Sequence, residues 1–234
     1  MSNLSTLFWS SKKKSTLDYG LLDEDLLTYD TGDIILFSGV SWLDRAIRLC
    51  SGSKYSHVGI VLRDPVNIDP KLTGLYFIES TLNIVPDAED GKPKFGVTLH
   101  KLDQVLAEHA KAGDKAVLRK IRGFGSANST RIPAAYDAVK FIPYDITLTD
   151  WIRAKEVADE KSIEEFISTH RVPAKDLQEI SSLWCSAFVG FFYVQLGILE
   201  PSTAWALLAP KHFSQQDEDL SFLPGYSLRE ERTI

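Results

Sequence analysis

The sequence predicts an α+β fold, and three observations carry that expectation. Short runs rich in strand formers dominate residues 33–121, helical periodicity dominates residues 130–199, and residues 183–196 are apolar nearly all round. A helix apolar on every side has to be buried, so it is expected against an antiparallel sheet or a small barrel built from the earlier strands.

Residues 1–30 read as a polar lead-in. Thr31 and Gly32 then introduce Asp33, Ile34, Ile35, Leu36 and Phe37, a buried strand. Ser41 opens a helix over 42–50, apolar at 42, 43, 46, 47, 49 and 50 and stopped by Gly52. Strands follow over 57–62 and 75–80, joined by a turn-rich segment with Asp64-Pro65 and Asp69-Pro70. A strand over 96–100, a helix over 102–112 and a strand over 116–121 complete the first half. In the second half, helical patterns over 130–141 and 151–169 flank Ile142, Pro143, Tyr144 and Asp145, where proline interrupts the period. Ser181 and Ser182 are the expected N-cap of the apolar helix over 183–196, which Gly197 closes before Pro201. One domain over 31–200 is expected, with a helical insertion near 146–180 and a C-terminal extension over 201–234.

Composition narrows the function. The 234 residues carry 26 Lys and Arg against 32 Asp and Glu, a formal charge of −6, so no polyanion-binding surface dominates and nucleic acid is not an expected partner. Two cysteines, Cys50 and Cys185, are too few for a disulfide scaffold and fit a reducing, cytoplasmic compartment. Leu7, Phe8 and Trp9 precede Lys12, Lys13 and Lys14, the reverse of a signal peptide's order. The longest apolar stretch, 187–199, falls short of the ~20 residues that span a bilayer, which leaves peripheral membrane contact open. The pattern does not specify an oligomeric state.

The serine-hydrolase elbow, the phosphate-binding loop and the His-Glu-x-x-His helix are absent, and the histidines at 57, 100, 109, 170 and 212 lack metal-ligand spacing. No metal or cofactor is therefore called for. Cys185 falls in the first turn of the apolar helix, where unpaired N–H groups and the helix dipole favour negative charge on the sulfur and offer an oxyanion site. His57 opens a strand directly after the 51–56 loop and is the candidate base. Glu79, near the end of the next strand, orients its ring if the two strands pair. Each residue also has a structural alternative: inert packing for Cys185, as for Cys50, a structural or solvated position for His57, a strand-end charge for Glu79. Zinc held by Cys185, His57 and Glu79 is a further alternative.

Five segments, 31–37, 55–61, 76–80, 142–145 and 184–189, carry Gly32-Asp33, Ser56-His57-Val58-Gly59, Glu79, Pro143-Tyr144 and Trp184-Cys185-Ser186 in a fixed order. In that order they resemble the permuted papain-fold cysteine hydrolases, specifically the YiiX-like and YebB-like branch of the NlpC superfamily, with relatives in bacteria and large DNA viruses. The resemblance implies a permuted papain-like domain with Cys185 as nucleophile, His57 as base and Glu79 as the group orienting it. It implies Tyr144 and Ser186 as substrate-binding or oxyanion residues; a purely structural hydroxyl is the alternative for Tyr144. The chain departs from the pattern at Ala187, where relatives often carry an acidic residue. The implied function is a cysteine-dependent hydrolase or acyltransferase acting on an amide or ester of a peptide, isopeptide or lipid substrate through a thioester. The alternative is a non-catalytic lipid- or protein-binding protein that keeps the fold, such as a virion-associated one. For a viral chain the compartment becomes host cytoplasm or virion.

Overall fold

Ile34, Ile35, Leu36 and Phe37 show no apolar–polar alternation because both faces of their strand are covered. The computed structural model of the chain describes residues 29–144, 183–217 and 219–234. Strand β1 (Ile34–Ser38) lies inside an antiparallel sheet with β2 (His57–Arg63), β3 (Leu75–Pro86), β4 (Pro93–Lys101), β5 (Lys115–Arg119) and β8 (Arg232–Thr233), in the order β4-β3-β2-β1-β5-β8. β6 (Ile121–Arg122) and β7 (Ser227–Leu228) form a separate ribbon. The sheet is open, with β4 and β8 at its edges, so the small-barrel expectation is corrected to an open antiparallel sheet.

The helices are α1 (Trp42–Ser51), α2 (Leu102–Ala112), α3 (Ser126–Ser129), α4 (Ile132–Val139) and α5 (Cys185–Gln195). Ser41 caps α1 in a reciprocal capping box with Asp44, and Gly52 ends it in the left-handed conformation at φ 60°. One face of the sheet, with Leu36, Val58, Ile60 and Ile78, packs on α5 and on Trp205, Leu208 and Phe213. The other face, with Ile35, Phe37, Val61 and Phe77, packs on Leu102 and Val105 of α2. The extension after residue 200 thus supplies core side chains, and β8 pairs with β5.

Three expected boundaries differ for visible reasons. β3 runs on to Pro86 because β4 continues to pair with it, through Val85↔Lys94, beyond a register shift between Thr81 and Val85. The strand expected over 116–121 breaks at Lys120, where buried Arg119 donates to the carbonyls of Arg229 and Phe213 and draws in the C-terminal segment. The apolar helix begins at Cys185 with Trp184 as N-cap, not at 183 behind Ser181 and Ser182, both of which lie outside the described residues. The lead-in over 1–28 and the insertion near 146–180, with the helix expected over 151–169, also lie outside them.

Gly32 and Asp33 anchor the start of β1. Gly32 takes φ 89°, and its carbonyl accepts the hydroxyl of buried Tyr193 from α5 at 2.6 Å. Asp33 accepts from the amide of Ile121 at 3.1 Å and faces Lys120, although burial still pushes its carboxyl up. Gly59 on β2 has a different task. A Cβ there would run into the ring of Phe77 and stand 2.8 Å from the carbonyl of Ile78, next to Glu79. Gly59→Ala is therefore expected to displace Phe77 and lower stability by about 1–3 kcal/mol, read as a lowered midpoint in urea unfolding.

Candidate active site

β2 begins at the residue that matters most. His57 pairs with Phe37 across β1 and shares its face of the sheet, the α2 side. Glu79 of β3 lies on that same face, in the parity of Phe77, so the two side chains meet diagonally across neighbouring strands. The Nε2 atom of His57 bonds Oε2 of Glu79. Cys185 comes from the opposite layer, at the first position of α5, and its Sγ lies 4.0 Å from the carbonyl oxygen of Ser56, the residue just before β2. The two layers meet at the start of β2, where the sulfur is close enough to couple electrostatically to the His57 ring. Because Glu79 engages Nε2, the nitrogen left for sulfur is Nδ1.

Electrostatics follow from this placement. Burial alone would lower the pKa of His57, but the charges of Glu79 and Cys185 and the hydrogen bonds to both raise it to about 10. Burial would likewise raise that of Glu79, but the His57 charge and hydrogen bond, with smaller contributions from His100 and His109, hold it below the usual carboxylate range. The imidazolium–carboxylate pair is thus the favoured form near neutrality.

Two scaffolding contacts set the height of α5. The carbonyl of Leu208 accepts the indole N–H of Trp184 at 3.0 Å and the hydroxyl of Ser186 at 2.5 Å. The Ser186 side chain is therefore committed, and an oxyanion contact from this residue falls to its backbone N–H. No side chain caps the helix, and its backbone ladder starts with Phe188 donating to Trp184, so the N–H groups of Cys185, Ser186 and Ala187 precede the first intrahelical donor. Tyr144 is buried and lines two cavities. One of about 40 Å³ is bounded by Cys185, Ser186, Trp184, Cys50 and Leu208; a polar one of about 230 Å³ is bounded by His57, Glu79, His100, His109 and Asp44. Gly96 makes that position possible. At φ 113° it lets Ile142 and Pro143 lie against β4, where a Cβ would stand 2.7 Å from the Cα of Pro143.

The structure thus brings Cys185, His57, Glu79 and Tyr144 together and sets Ser186 beside them with its hydroxyl engaged. Sequence reasoning missed Asp44, His100 and His109. His109 stacks on Phe37 at 3.7 Å and bonds Asp114 at 2.7 Å, while Asp44, held below the usual carboxylate range against its burial by Ser41 and Ser56, faces the same cavity. Strand parity was the available signal for His100, which sits opposite Phe77 on the face of Glu79. The geometry does not favour the zinc alternative: among the described residues no three His, Cys, Asp or Glu side chains are placed to hold a metal.

Fold and site together define an α+β protein with a Cys-His-Glu constellation at one end of an antiparallel sheet. No protein-family model and no curated protein matches the chain. Among solved structures it is similar to the metalloprotein YiiX of Escherichia coli O157:H7, at 18% identity and a TM-score of 0.46, over 87% of this chain and 97% of that one. A likeness this distant transfers no residue roles. Among the described residues no helix is long and apolar enough to cross a membrane.

The ion pair predicts a pH signature. A His57 raised from 6.5 to about 10 stabilises fully below pH 6.5 and loses that contribution as pH rises through 10; a lowered Glu79 stabilises above 4.5 and loses its contribution as pH falls through its depressed value. Unfolding free energy is therefore expected to decline between pH 6.5 and 10, and Glu79→Gln to flatten that decline, as measured by urea unfolding across the range.

Proposed function

We propose that the protein is a cysteine-dependent hydrolase or acyltransferase of the permuted papain-like type, acting on an amide or ester bond through a thioester. The observation that carries this reading is the convergence at the start of β2 of His57, bonded to Glu79, and of Cys185, whose sulfur lies against the carbonyl of Ser56, the residue just before His57. A histidine held by a carboxylate on one nitrogen and facing a thiol on the other is the arrangement of a nucleophile, its proton carrier and the group that orients it.

The reaction follows from these positions. Sulfur attacks the carbonyl carbon with the proton held on His57, and the backbone N–H groups of Cys185 and Ser186 receive the oxyanion. As the tetrahedral intermediate collapses, His57 gives its proton to the leaving amine or alkoxide, and the acyl group remains as a thioester on Cys185. Water, or a second acceptor in the transferase case, then loses a proton to His57 as it attacks the thioester, and the C–S bond breaks to release the acyl product and return Cys185 as a thiolate beside the imidazolium. Glu79 keeps its charge throughout and compensates the imidazolium whenever the ring carries both protons. Tyr144, set between the two cavities, contacts the acyl compound, a peptide, isopeptide or lipid ester.

Thiol labelling tests the assignment. Iodoacetamide near neutral pH is expected to alkylate Cys185 at least about tenfold faster than Cys50, although Cys185 is the more buried of the two. Cys185→Ser is expected to abolish turnover across a panel of acyl-thioester, peptide and lipid-ester probes. Equal, slow labelling of both thiols would contradict the nucleophile role.

A further inference from the structure

We infer that His100 is a positioning residue of this site, holding the second oxygen of Glu79. The inference rests on the Cys185–His57–Glu79 reading and adds to it a fourth side chain. Glu79 is buried, its side chain 9% exposed, and a carboxylate that stays charged in such a place needs partners on both oxygens. Oε2 is taken by His57. Oε1 faces Nε2 of His100 at 3.7 Å, and that nitrogen is buried without a hydrogen-bond partner.

The neighbours leave this task to His100. Directly across β4 from Glu79 stands Thr98, whose hydroxyl donates instead to the carbonyl of Gly96 at 3.2 Å. On the β2 side Gly59 offers no side chain. The other charged or titratable groups around the same cavity are Asp44 from α1, Glu108 and His109 from α2, Asp114 behind His109, and Tyr144. Asp44, Glu108 and Asp114 would repel the Glu79 carboxylate, and His109 is bonded to Asp114. An Nε2–H on His100 closing the gap to Oε1 gives an unpaired donor and an under-satisfied acceptor the same remedy. With Oε1 held, the carboxylate cannot turn away from His57, and the chain of contacts runs His100, Glu79, His57, Cys185.

The test follows the ring of His57 by NMR titration in the full chain, comparing wild type, His100→Phe and His100→Gln. Loss of the donor in His100→Phe is expected to weaken the Glu79 contact and make His57 about tenfold easier to deprotonate, a midpoint about one unit lower. His100→Gln, which keeps an N–H donor without a titrating ring, is expected to restore most of the shift. A merely structural role for His100 would alter stability and leave the midpoint in place. Superimposable titrations of wild type and His100→Phe, or a His100→Gln midpoint displaced as far as that of His100→Phe, would overturn the inference. A wild-type His57 midpoint near the ordinary histidine value would fail the triad reading itself, so the two failures are separable.

Discussion

A charged pair, His57 with Glu79, sits at the end of a largely apolar sheet, and the surrounding architecture answers to its cost. Two ionised side chains taken out of water are unfavourable unless each finds its partner in good geometry. The pairing of β2 with β3 supplies that geometry by setting both residues on one face, one diagonal step apart. The thiol arrives from the other face, carried by a helix whose burial supplies the hydrophobic stabilisation that the ionic side lacks. Placing the site where β2 starts is what lets groups from both layers reach one imidazole.

Residues with no chemistry of their own fix this meeting point. The Leu208 carbonyl holds the first turn of α5 through Trp184 and Ser186, and Gly96 admits the segment that carries Tyr144. The hydroxyl of Tyr193 toward the far end of α5 bonds Gly32, so the helix is held at its start by Leu208 and near its end by the turn that opens β1. Displacement of any of these contacts moves sulfur relative to the ring without touching either.

Legibility in the sequence tracked the range of the forces involved. Local signals were sufficient for α1, where Ser41, Asp44 and Gly52 write both caps, and for α2, whose span of 102–112 agrees with the structure. The existence of β1 to β5 was legible from the apolar runs, but strand ends were not, and neither were the short β7 and β8 of the C-terminal segment. Those of β3 and β5 are set by partners distant in sequence, the paired length of β4 and the C-terminal segment that Arg119 gathers. The start of α5 at Cys185 was missed because Ser181 and Ser182 look like a cap, and the backbone is instead fixed by contacts to Leu208. At the site, Cys185, His57 and Glu79 were legible as types in order. The commitment of the Ser186 hydroxyl depended on a tertiary neighbour that no local pattern encodes, and the presence of His100 beside Glu79 on a strand register that parity alone leaves open.

The central claim is that His57 is held as an imidazolium between a carboxylate and a sulfur. Neutron diffraction from deuterium-exchanged crystals near neutral pH addresses it directly. Deuterons on both ring nitrogens, the one on Nε2 directed at Glu79 and the one on Nδ1 at Cys185, are the predicted result. A singly protonated ring, or a ring turned away from either partner, would contradict it.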